Sequence, residues 1–439
     1  MELPQVLIGQ LTFNITFFPR IIYAQKNLLS MVTRLFLNPV VFGLTLLLTT
    51  NIAFSASEGK RLFEARWVVP FLGSGLWGKG PHSNAGSCID CHQLGTNIID
   101  HNNKDDGPSA TILKLRLISD KGHDPHPIYG NELSSVGVIG KLTEEGTFEI
   151  EWSKEPSNQH PKPKAKITSL WFGELGNETA RSLRMGRTMN ILGALEKITE
   201  RQLIPIILEQ RNKGLNGRIN YVINTSSSDV EIGRFGYKAS SPSLEDQISK
   251  ALRDEIGVTS FNYPNQPCAA SKIICEELNE IKTPEISNKR IRLISDFLRV
   301  SSPQVVPNGD KQFDLGKNIF ESTGCSLCHR TDLHVNLVSK EGTESIIYPY
   351  TDLLIHDMGE GLEDGFTEGL AGPRDWRTAP LTGIGDHLSS GGSLIHDGRA
   401  QNLKEAILWH GGEASKSREK YLLLKSNEKT ALENFVKDL

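Results

Sequence analysis

The pentapeptide Cys-x-x-Cys-His occurs twice in this chain of 439 residues, at 88–92 and at 325–329. This spacing is typical of covalent attachment of c-type haem. One helical turn places both thiols on the same side, where each can bond a vinyl group of the porphyrin, and the next imidazole can bind the iron axially. With 6 Cys and 12 His in the sequence, composition alone predicts roughly 0.002 such pentapeptides per chain, so chance does not explain two. We therefore predict two covalently bound haem c groups, attached through Cys88, Cys91, Cys325 and Cys328, with His92 and His329 as iron ligands.

Paired cysteines have two other common uses. Two Cys-x-x-Cys pairs can hold one structural zinc ion. However, zinc requires no histidine after each pair, and these pairs lie more than about 230 residues apart, whereas zinc ribbons keep theirs close. A redox dithiol of the thioredoxin type lies in a βαβ unit, and no such pattern surrounds either pair.

The beginning of the chain predicts export, which c-type haem attachment requires. Met31–Arg34 is a short basic start, 35–54 is mostly apolar, and Ala53–Ser55 supplies the small residues that a signal peptidase reads. We expect a secretory signal that begins at Met31 and is cleaved near Ser55, with residues 1–30 translated from a mis-assigned start codon. An uncleaved anchor is the alternative, because the apolar run is about long enough to span a bilayer. Either way, the protein is predicted to act in the periplasm.

Composition excludes one class of partner, and two cysteines remain without a role in haem attachment. The formal net charge is −4 and no basic block is present, so we expect no nucleic-acid partner. Cys268 and Cys275 are not needed for haem attachment. A local disulfide is the simplest interpretation in an oxidising compartment, and a pair of free thiols is the alternative.

A weak internal repeat predicts two related lobes. Gly59–Phe63 and Gly316–Phe320 share the pattern Gly-Lys-x-x-Phe upstream of each haem motif, and Arg187–Gly193 resembles Arg377–Gly383 downstream of it. We therefore predict a mainly α fold with two cytochrome c-like haem lobes and long loops. The expected divisions are 1–55 for the upstream extension and signal, 56–304 for the first lobe, and 305–439 for the second lobe.

The pattern of apolar residues predicts several elements within these lobes. Thr147–Trp152 alternates as a strand does, and the Pro/Lys-rich segment Pro156–Lys166 is typical of a surface loop. Residues 110–170 thus predict an insertion that contains a β-hairpin. Ser243 is a good cap for a helix, and Thr283-Pro284 predicts the start of another that ends near Val300. A further helix is expected over Lys311–Ser322.

Four stretches carry a resemblance to a known family. They are Tyr350–Gly359, Trp376–Leu381, His396–Ala400 with Leu408–Ala414, and Gly233–Ala239. Together they resemble the bacterial dihaem oxidoreductases, also described as dihaem peroxidases or thiol oxidoreductases, which are distantly similar to the dihaem cytochrome c peroxidases. Two departures concern the first haem: the segment His123–Gly130 carries an extra His-Pro, and Met185 and Met189 stand where the family more often has small or Pro-flanked residues.

The resemblance suggests further site residues. In the similar peroxidases this part of the second lobe supplies a distal iron ligand, and its counterpart here is His410, with His356 and Met358 in reserve. Glu196 matches an acidic position of the family and is the predicted proton acceptor for peroxide cleavage. Arg377 and Arg399 are predicted catalytic-site residues that bind haem propionates, with structural ion pairs to Asp375 and Asp397 as the alternative.

The sixth ligand of the first haem stays open, and it decides the function. Its candidates are His101, His123, His126, Met185 and Met189. An open iron can bind peroxide, whereas a closed one transfers electrons. We expect a peroxidase-like enzyme that takes electrons from a small periplasmic donor protein and passes them through one haem to the other. A pure electron carrier and an oxygen-dependent oxidase or oxygenase are the alternatives, and transient association with a membrane is allowed.

Overall fold

The computed structural model describes residues 54–69, 75–92, 110–119, 122–137, 144–153, 161–187, 189, 191–267, 283–301, 311–339 and 342–439. All of them belong to one compact unit, Phe54–Leu439. The predicted signal upstream of residue 54, the ligand candidate His101, the cysteines Cys268 and Cys275, and the boundary between residues 304 and 305 lie outside the described residues. These four expectations stay predictions.

The prediction of a mainly α fold is wrong. Among the described residues 36% are helical and 22% are in strands, which is close to the average for mixed globular domains. The sheets are small and most of their strands are only two to four residues long, and two of the pairings join strands that are not neighbours in the chain. Local sequence patterns therefore reveal few of these strands. Within the described part of the chain, no helix combines the length and the apolar character that a membrane span requires.

The described chain contains ten α-helices and several single turns. In chain order the α-helices are α1 (54–64), α2 (Leu192–Lys197), α3 (Glu200–Asn212), α4 (Leu244–Ala251), α5 (Asn288–Val300), α6 (Lys311–Thr323), α7 (Ile384–Ser389), α8 (Leu403–Leu408), α9 (Ser415–Leu423) and α10 (Ser426–Lys437). The shorter turns are a π-helical turn that continues α4, Leu252–Ile256, and 3₁₀ turns at Cys88–Asp90, Cys325–Leu327, Glu360–Leu362 and Gly412–Ala414.

The described strands form seven sheets. In chain order they are β1 (Trp67–Val68), β2 (Leu76–Trp77), β3 (His82–Ser83), β4 (Thr111–Ser119), β5 (Gly122–Asp124), β6 (Val136–Gly137), β7 (Gly146–Ser153), β8 (Lys162–Leu170), β9 (Thr179–Met185), β10 (Tyr221–Ile223), β11 (Val230–Ile232), β12 (Val335–Val338), β13 (Glu344–Ile347), β14 (Ile355–Asp357) and β15 (Asp375–Arg377). The sheet β5–β4–β9 has three strands, and the pairs are β1–β2, β3–β6, β7–β8, β10–β11, β12–β13 and β14–β15. Only β1 and β2 are parallel.

The Gly-Lys-x-x-Phe repeat corresponds to the same helix contact in both lobes. A Cβ on Gly59 would collide with the carbonyl oxygen of Leu293 in α5, and a Cβ on Gly316 would collide with that of Ala431 in α10. The phenylalanine four residues later packs on a phenylalanine of the same partner helix. The ring centroids lie 5.6 Å apart for Phe63–Phe297 and 5.3 Å for Phe320–Phe435. Glycine is required because it lets the two backbones approach closely.

The second repeat also corresponds to equivalent helices, with a shift in register. The residues before α2 and α7, Ile191 and Gly383, are both left-handed, with φ of 70° and 78°. A Cβ on Gly193 would collide with the carbonyl of Arg299 in α5, and one on Gly385 with that of Lys437 in α10. The sequence match aligned Gly193 with Gly383, but the structural counterpart of Gly193 is Gly385.

The insertion in the first lobe is more β-rich than predicted. The expected strand over Thr147–Trp152 is confirmed within β7, and its partner β8 begins at Lys162, inside the segment that we predicted to be a loop. Glu149 lies opposite Lys166, and Glu151 lies opposite Lys164. Opposite charges across a strand pair stabilise it, and this contact is invisible in a local reading of a Pro/Lys-rich segment.

The predicted helices hold, with one change of boundary. Ser243 caps α4 by accepting a hydrogen bond from the Asp246 amide at 3.2 Å, and α6 covers the expected range. The helix that ends at Val300 begins at Asn288, five residues after Thr283. The carboxylate of Glu285 instead accepts a hydrogen bond from the Thr259 amide at 2.7 Å, which ties this segment to another loop.

Candidate functional site

The first Cys-x-x-Cys-His motif forms a capped 3₁₀ turn. The carboxylate of Asp90 accepts hydrogen bonds from the amides of Gly86, at 2.7 Å, and Ser87, at 3.1 Å, so the start of the turn has its donors satisfied. The amide of His92 donates to the carbonyl of Cys88 at 2.9 Å. This turn places Cys88, Cys91 and His92 on the wall of one cavity.

The His92 ring is oriented as an iron ligand requires. Its Nδ1–H donates to the carbonyl oxygen of Arg187 at 2.7 Å, which fixes the tautomer and leaves Nε2 with a lone pair for a metal. Burial lowers the pKa of His92, against the opposing effect of this hydrogen bond. The imidazole is therefore neutral near pH 7, the form that binds iron.

The cavity beside this motif has a volume of about 300 Å³. Much of its wall is aliphatic and aromatic, and a few polar groups converge on it, as is typical of cofactor sites. Its lining includes Phe63, Ile191, Leu195, Phe235, Leu252 and Leu298 from the first lobe, and Arg377, Pro380, Ile384 and His387 from the second. Residues from both predicted lobes therefore line the first cavity.

Two guanidinium groups, those of Arg187 and Arg377, line the cavity without an acid partner. Among the described residues, no carboxylate lies within ion-pair distance of either one. Arg377 donates to the carbonyls of Gly236, at 3.0 Å, and Thr378, at 3.3 Å. Burial, together with the charge of Arg187, lowers the pKa of Arg377 to about 10. This unpaired positive charge fits an anionic group such as a haem propionate. Asp375, the alternative partner, pairs instead with Arg218.

Two of the ligand candidates for the first haem line the cavity. Met185 is buried, and its Sδ accepts a hydrogen bond from the Ser393 hydroxyl at 3.2 Å, while Met189 lies partly buried on the same wall. The His126 ring is engaged elsewhere: Nε2 bonds the Leu175 carbonyl at 3.1 Å, and Nδ1 accepts from backbone amides. The side chain of His123 lies outside the described residues.

His387 is a cavity residue that the sequence analysis missed. It is 2% exposed, and its Nε2–H donates to the Ser393 carbonyl at 2.8 Å. Its Nδ1 has no hydrogen-bond partner among the described residues. Burial and the charge of Arg187 lower its pKa, so the ring presents a neutral basic nitrogen. Because His387 is far from the first motif in sequence, only the fold brings it to this cavity.

The second motif repeats the geometry of the first. Gly324, with φ of 89°, begins the 3₁₀ turn Cys325–Leu327. The His329 amide donates to the Cys325 carbonyl at 2.9 Å, and the ring Nδ1–H donates to the Tyr350 carbonyl at 3.1 Å. His329 is thus oriented as His92 is, with Nε2 left for iron.

The His410 ring is oriented by a backbone carbonyl, as the His329 ring is, and it lies near His329. Its Nδ1–H donates to the Ala406 carbonyl at 2.8 Å, which leaves Nε2 unoccupied by that bond. Burial, together with the neighbouring His410 ring, lowers the pKa of His329 to about 4, and burial lowers the pKa of His410. Two neutral imidazoles with free Nε2 atoms are suited to bind one iron from opposite sides.

The reserve candidate His356 is held by acids instead. Its Nε2 lies 2.9 Å from Asp352 and its Nδ1 lies 2.9 Å from Glu413. Despite burial, the charge of Asp352 raises the pKa of His356 well above its usual range, so it is an imidazolium without a free lone pair. His356, Asp352 and the Cys328 thiol also lie within 4.8 Å of one another, so this charged cluster adjoins the second attachment turn.

Two other predicted site residues lie in ion pairs. Glu196 is absent from the residues that line the described cavity, and it binds Arg299 at 2.6 and 3.0 Å. Arg399 is buried against Asp397, at 2.5 to 3.0 Å, with its guanidinium carbon 4.4 Å from the Trp409 ring centroid. The geometry of Arg399 is that of the structural ion pair considered as the alternative, so catalytic roles for Glu196 and Arg399 stay predictions.

The stretches that carry the family resemblance pack around one ring. His396 stacks on Trp376 at 3.9 Å between centroids, and Tyr237 meets the same ring edge-on at 6.4 Å. The Lys238 ammonium lies 4.2 Å and the Arg184 guanidinium carbon 4.6 Å from the Trp376 centroid. Trp376 is therefore a packing centre between segments distant in sequence.

The two turns define a class of protein. Each carries two cysteines and an imidazole whose Nε2 is free, and the first faces a cavity with unpaired positive charge, so the residues present fit haem. A family model described as "Di-haem oxidoreductase, putative peroxidase" matches residues 166–439. This segment is more than half of the chain and contains the second motif and all four signature stretches, but not the first motif. The chain belongs to this family of di-haem oxidoreductases, and haem is its cofactor.

Other comparisons add little. A comparison with curated proteins finds no match. Among solved structures, a chain of hydrazine synthase from Kuenenia stuttgartiensis is similar, at 18% sequence identity and a TM-score of 0.24. That match covers 41% of this chain and 65% of the hydrazine synthase chain, and at this level of similarity we draw nothing from it.

Proposed function

We propose that this protein is a periplasmic dihaem cytochrome of peroxidase type, in which each haem is attached covalently through thioether bonds to its Cys-x-x-Cys pair. When bound, the haems supply one-electron chemistry, receiving electrons from a small donor protein at the second site and delivering them to an oxidant at the first. The support is the family membership together with the difference between the two sites.

The single observation that carries the proposal is the make-up of the first cavity. It combines the attachment turn, unpaired guanidiniums at Arg187 and Arg377, and a neutral nitrogen on His387. The guanidiniums hold anionic groups in place. The His387 Nδ1 can accept a proton from a peroxide molecule that enters the cavity, the role that we first gave to Glu196. At the second site, His329 and His410 exclude an outside ligand.

Covalent attachment is tested by denaturing electrophoresis with haem staining. We expect the stain to stay with the chain, and to fall by about half when Cys88 and Cys91 are both replaced by Ala. The same loss is expected for Cys325 and Cys328. A chain that loses all haem on denaturation would contradict thioether attachment.

The reaction is tested by rapid mixing of the reduced protein with hydrogen peroxide. We expect reoxidation of both haems and steady turnover with an added one-electron donor. His387→Gln should lower the rate about 10²-fold or more, as loss of a general base does, and the exposed His334→Gln is the matched control. Electron exchange without peroxide turnover would favour the carrier. Oxygen uptake that requires an organic substrate would favour the oxidase or oxygenase.

A further inference from the structure

Two acidic side chains meet at the first cavity. Glu255 lines the cavity together with Cys88 and Cys91. It belongs to the π-helical turn Leu252–Ile256, an arrangement that is frequent at functional sites. The backbone carbonyl of Glu255 accepts hydrogen bonds from the amides of Asn84, at 2.7 Å, and Ala85, at 3.1 Å. The turn is therefore fixed to the segment that leads into the first motif.

Glu132 reaches the same place from another part of the chain. Its side chain is 3% exposed and its Oε1 lies 3.6 Å from the Lys114 ammonium. The carboxyl groups of Glu132 and Glu255 lie within hydrogen-bonding reach of each other. Each also has an Oε2 atom that finds no donor among the described residues.

This arrangement requires a shared proton. Ionised carboxylates only accept hydrogen bonds, so the two groups can bond each other only when one carries a proton. Two buried like charges in contact are also costly. Burial, with contributions from Asp254, outweighs Lys114 and raises the pKa of Glu132 to about 7. Burial and the neighbouring Glu132 raise the pKa of Glu255 well above its usual range.

The surroundings of the pair are mixed in charge. They comprise Lys114 and Arg116 from β4, Asp254 with its partner Arg253 from the π-helical turn, and the thiols of Cys88 and Cys91 from the attachment turn. Lys250 and Glu368 lie near Lys114. Since no single neighbour fixes the pair in one state, it can respond to a change of charge in the cavity.

We propose that Glu132 and Glu255 form a proton-loading pair, which takes up one proton from solvent when the first haem is reduced by one electron and releases it on reoxidation. The inference rests on the proposed function, because it places a haem at Cys88–His92. Reduction removes one positive charge from the cavity, so proton binding becomes more favourable. Reduction of peroxide to two water molecules consumes two electrons and two protons, and the pair supplies one of those protons.

Spectropotentiometry from about pH 5 to about pH 9 tests the pair without turnover. We expect the equilibrium constant for reduction of the first haem to fall up to about tenfold per pH unit near neutrality, which is ~59 mV for one electron. The second haem should show little dependence, and His410→Gly, which alters only the second spectrum, assigns the signals. In Glu255→Gln the slope should disappear. Glu151→Gln, an exposed carboxylate paired with Lys166 at 2.7 Å, should leave it unchanged.

A second variant covers the case in which Glu255→Gln does not fold. Asp254→Asn removes a charge that raises the pKa of both glutamates, so the sloping region should move to lower pH while the slope itself stays. Infrared difference spectra should also show a protonated-carboxyl band that appears on reduction in the native protein and is missing in Glu255→Gln.

Two results would refute the proton-loading pair. One is a reduction potential of the first haem that does not change with pH. The other is a pH dependence that persists in Glu255→Gln and does not shift in Asp254→Asn. The proposed function fails separately. A pH-dependent potential without peroxide turnover would refute the peroxidase function but support the proton-loading pair. Peroxide turnover with a potential that does not depend on pH would support the function and refute the pair.

Discussion

The two haem sites share a scaffold and differ in what closes it. In both lobes a glycine and a phenylalanine join the first helix to the last, and a backbone carbonyl orients the histidine of the motif. The first site then opens on a cavity with unpaired Arg187 and Arg377. At the second site the His410 imidazole lies near His329, and we propose that it closes that site. One attachment turn thus serves two purposes, and the residues brought from elsewhere decide which.

The charged groups differ in the same way. At the first site positive charges stand free, while at the second the His356 imidazolium is clamped by Asp352 and Glu413. Free charges in a cavity are prepared for a ligand, whereas matched buried charges are part of the structure. The free energy of unfolding should therefore respond differently to their removal.

The largest effect is expected at the clamp. His356→Leu leaves Asp352 and Glu413 without their partner, and breaking a buried charge pair costs about 3–5 kcal/mol. Arg377→Leu removes a partly buried guanidinium that pairs with no protein carboxylate, so the loss is limited to its hydrogen bonds to two carbonyls and to the proposed propionate contact, and should be smaller, about 1–2 kcal/mol. Urea unfolding of the holoproteins measures both. Equal losses would contradict the distinction between structural and free charges.

A smaller and symmetrical effect is expected for the helix contacts. Gly59→Ala and Gly316→Ala each force a Cβ into a backbone carbonyl, and overpacking of this kind costs about 1–3 kcal/mol. The control is Gly361→Ala, where the new Cβ would meet Trp409 carbons at 3.4 and 3.5 Å, an ordinary contact. Thermal unfolding would show whether this helix contact contributes equally in both lobes. A loss of stability in only one of the two glycine variants would contradict the equivalence.

The smallest effect, taken per pH unit, is the pH dependence of the free energy of unfolding, which has opposite signs at the two sites. The folded pKa of Glu132 is raised to about 7, so its stabilising contribution is complete below the unfolded value of about 4.3 and is lost as the pH rises through 7. The folded pKa of Asp352 is lowered, despite burial, chiefly by the charge of His356. Its contribution is present above about pH 3.9 and is lost as the pH falls through the lowered value.

Urea unfolding at several pH values separates the two groups. Each group changes the free energy of unfolding by at most about 1.4 kcal/mol per pH unit. Glu132→Gln should weaken the decline in stability between about pH 4.3 and pH 7 and leave the loss of stability at acid pH. Asp352→Asn should remove the loss at acid pH and leave that decline. If either variant altered the other pH-dependent loss, the two sites would not be independent.

The sequence predicted the parts of each site that are local. Cys-x-x-Cys-His is one turn, so its spacing alone predicts which cysteines and histidine lie together, and the structure places them so. The cap of α4 by Ser243 was predictable because it is a four-residue pattern. The residues that complete the first cavity could not be found in this way. Arg377 and His387 come from the other lobe, and Glu132 meets Glu255 across more than about a hundred residues.

The errors have the same origin. The fold class was mispredicted because most of the strands are only two to four residues long, too short to show a periodic pattern. The loop at Pro156–Lys166 was mispredicted because its strand is stabilised by cross-strand pairs such as Glu149 opposite Lys166, which the composition of the segment alone does not contain. Glu196 was chosen for a sequence position, but its carboxylate is bound to Arg299 on α5. The helix-end position of His410 was predicted because its helix and the following glycines are local signals, and its role as an iron ligand stays a prediction.

The central claim is that the first haem is open and the second is closed by His410. Titration of the fully reduced protein with carbon monoxide tests it most directly. We expect about one molecule bound per protein, and about two in His410→Gly, because removal of that imidazole opens the second iron. Binding of none or of two by the native protein, or a His410→Gly variant that still binds one, would contradict the account.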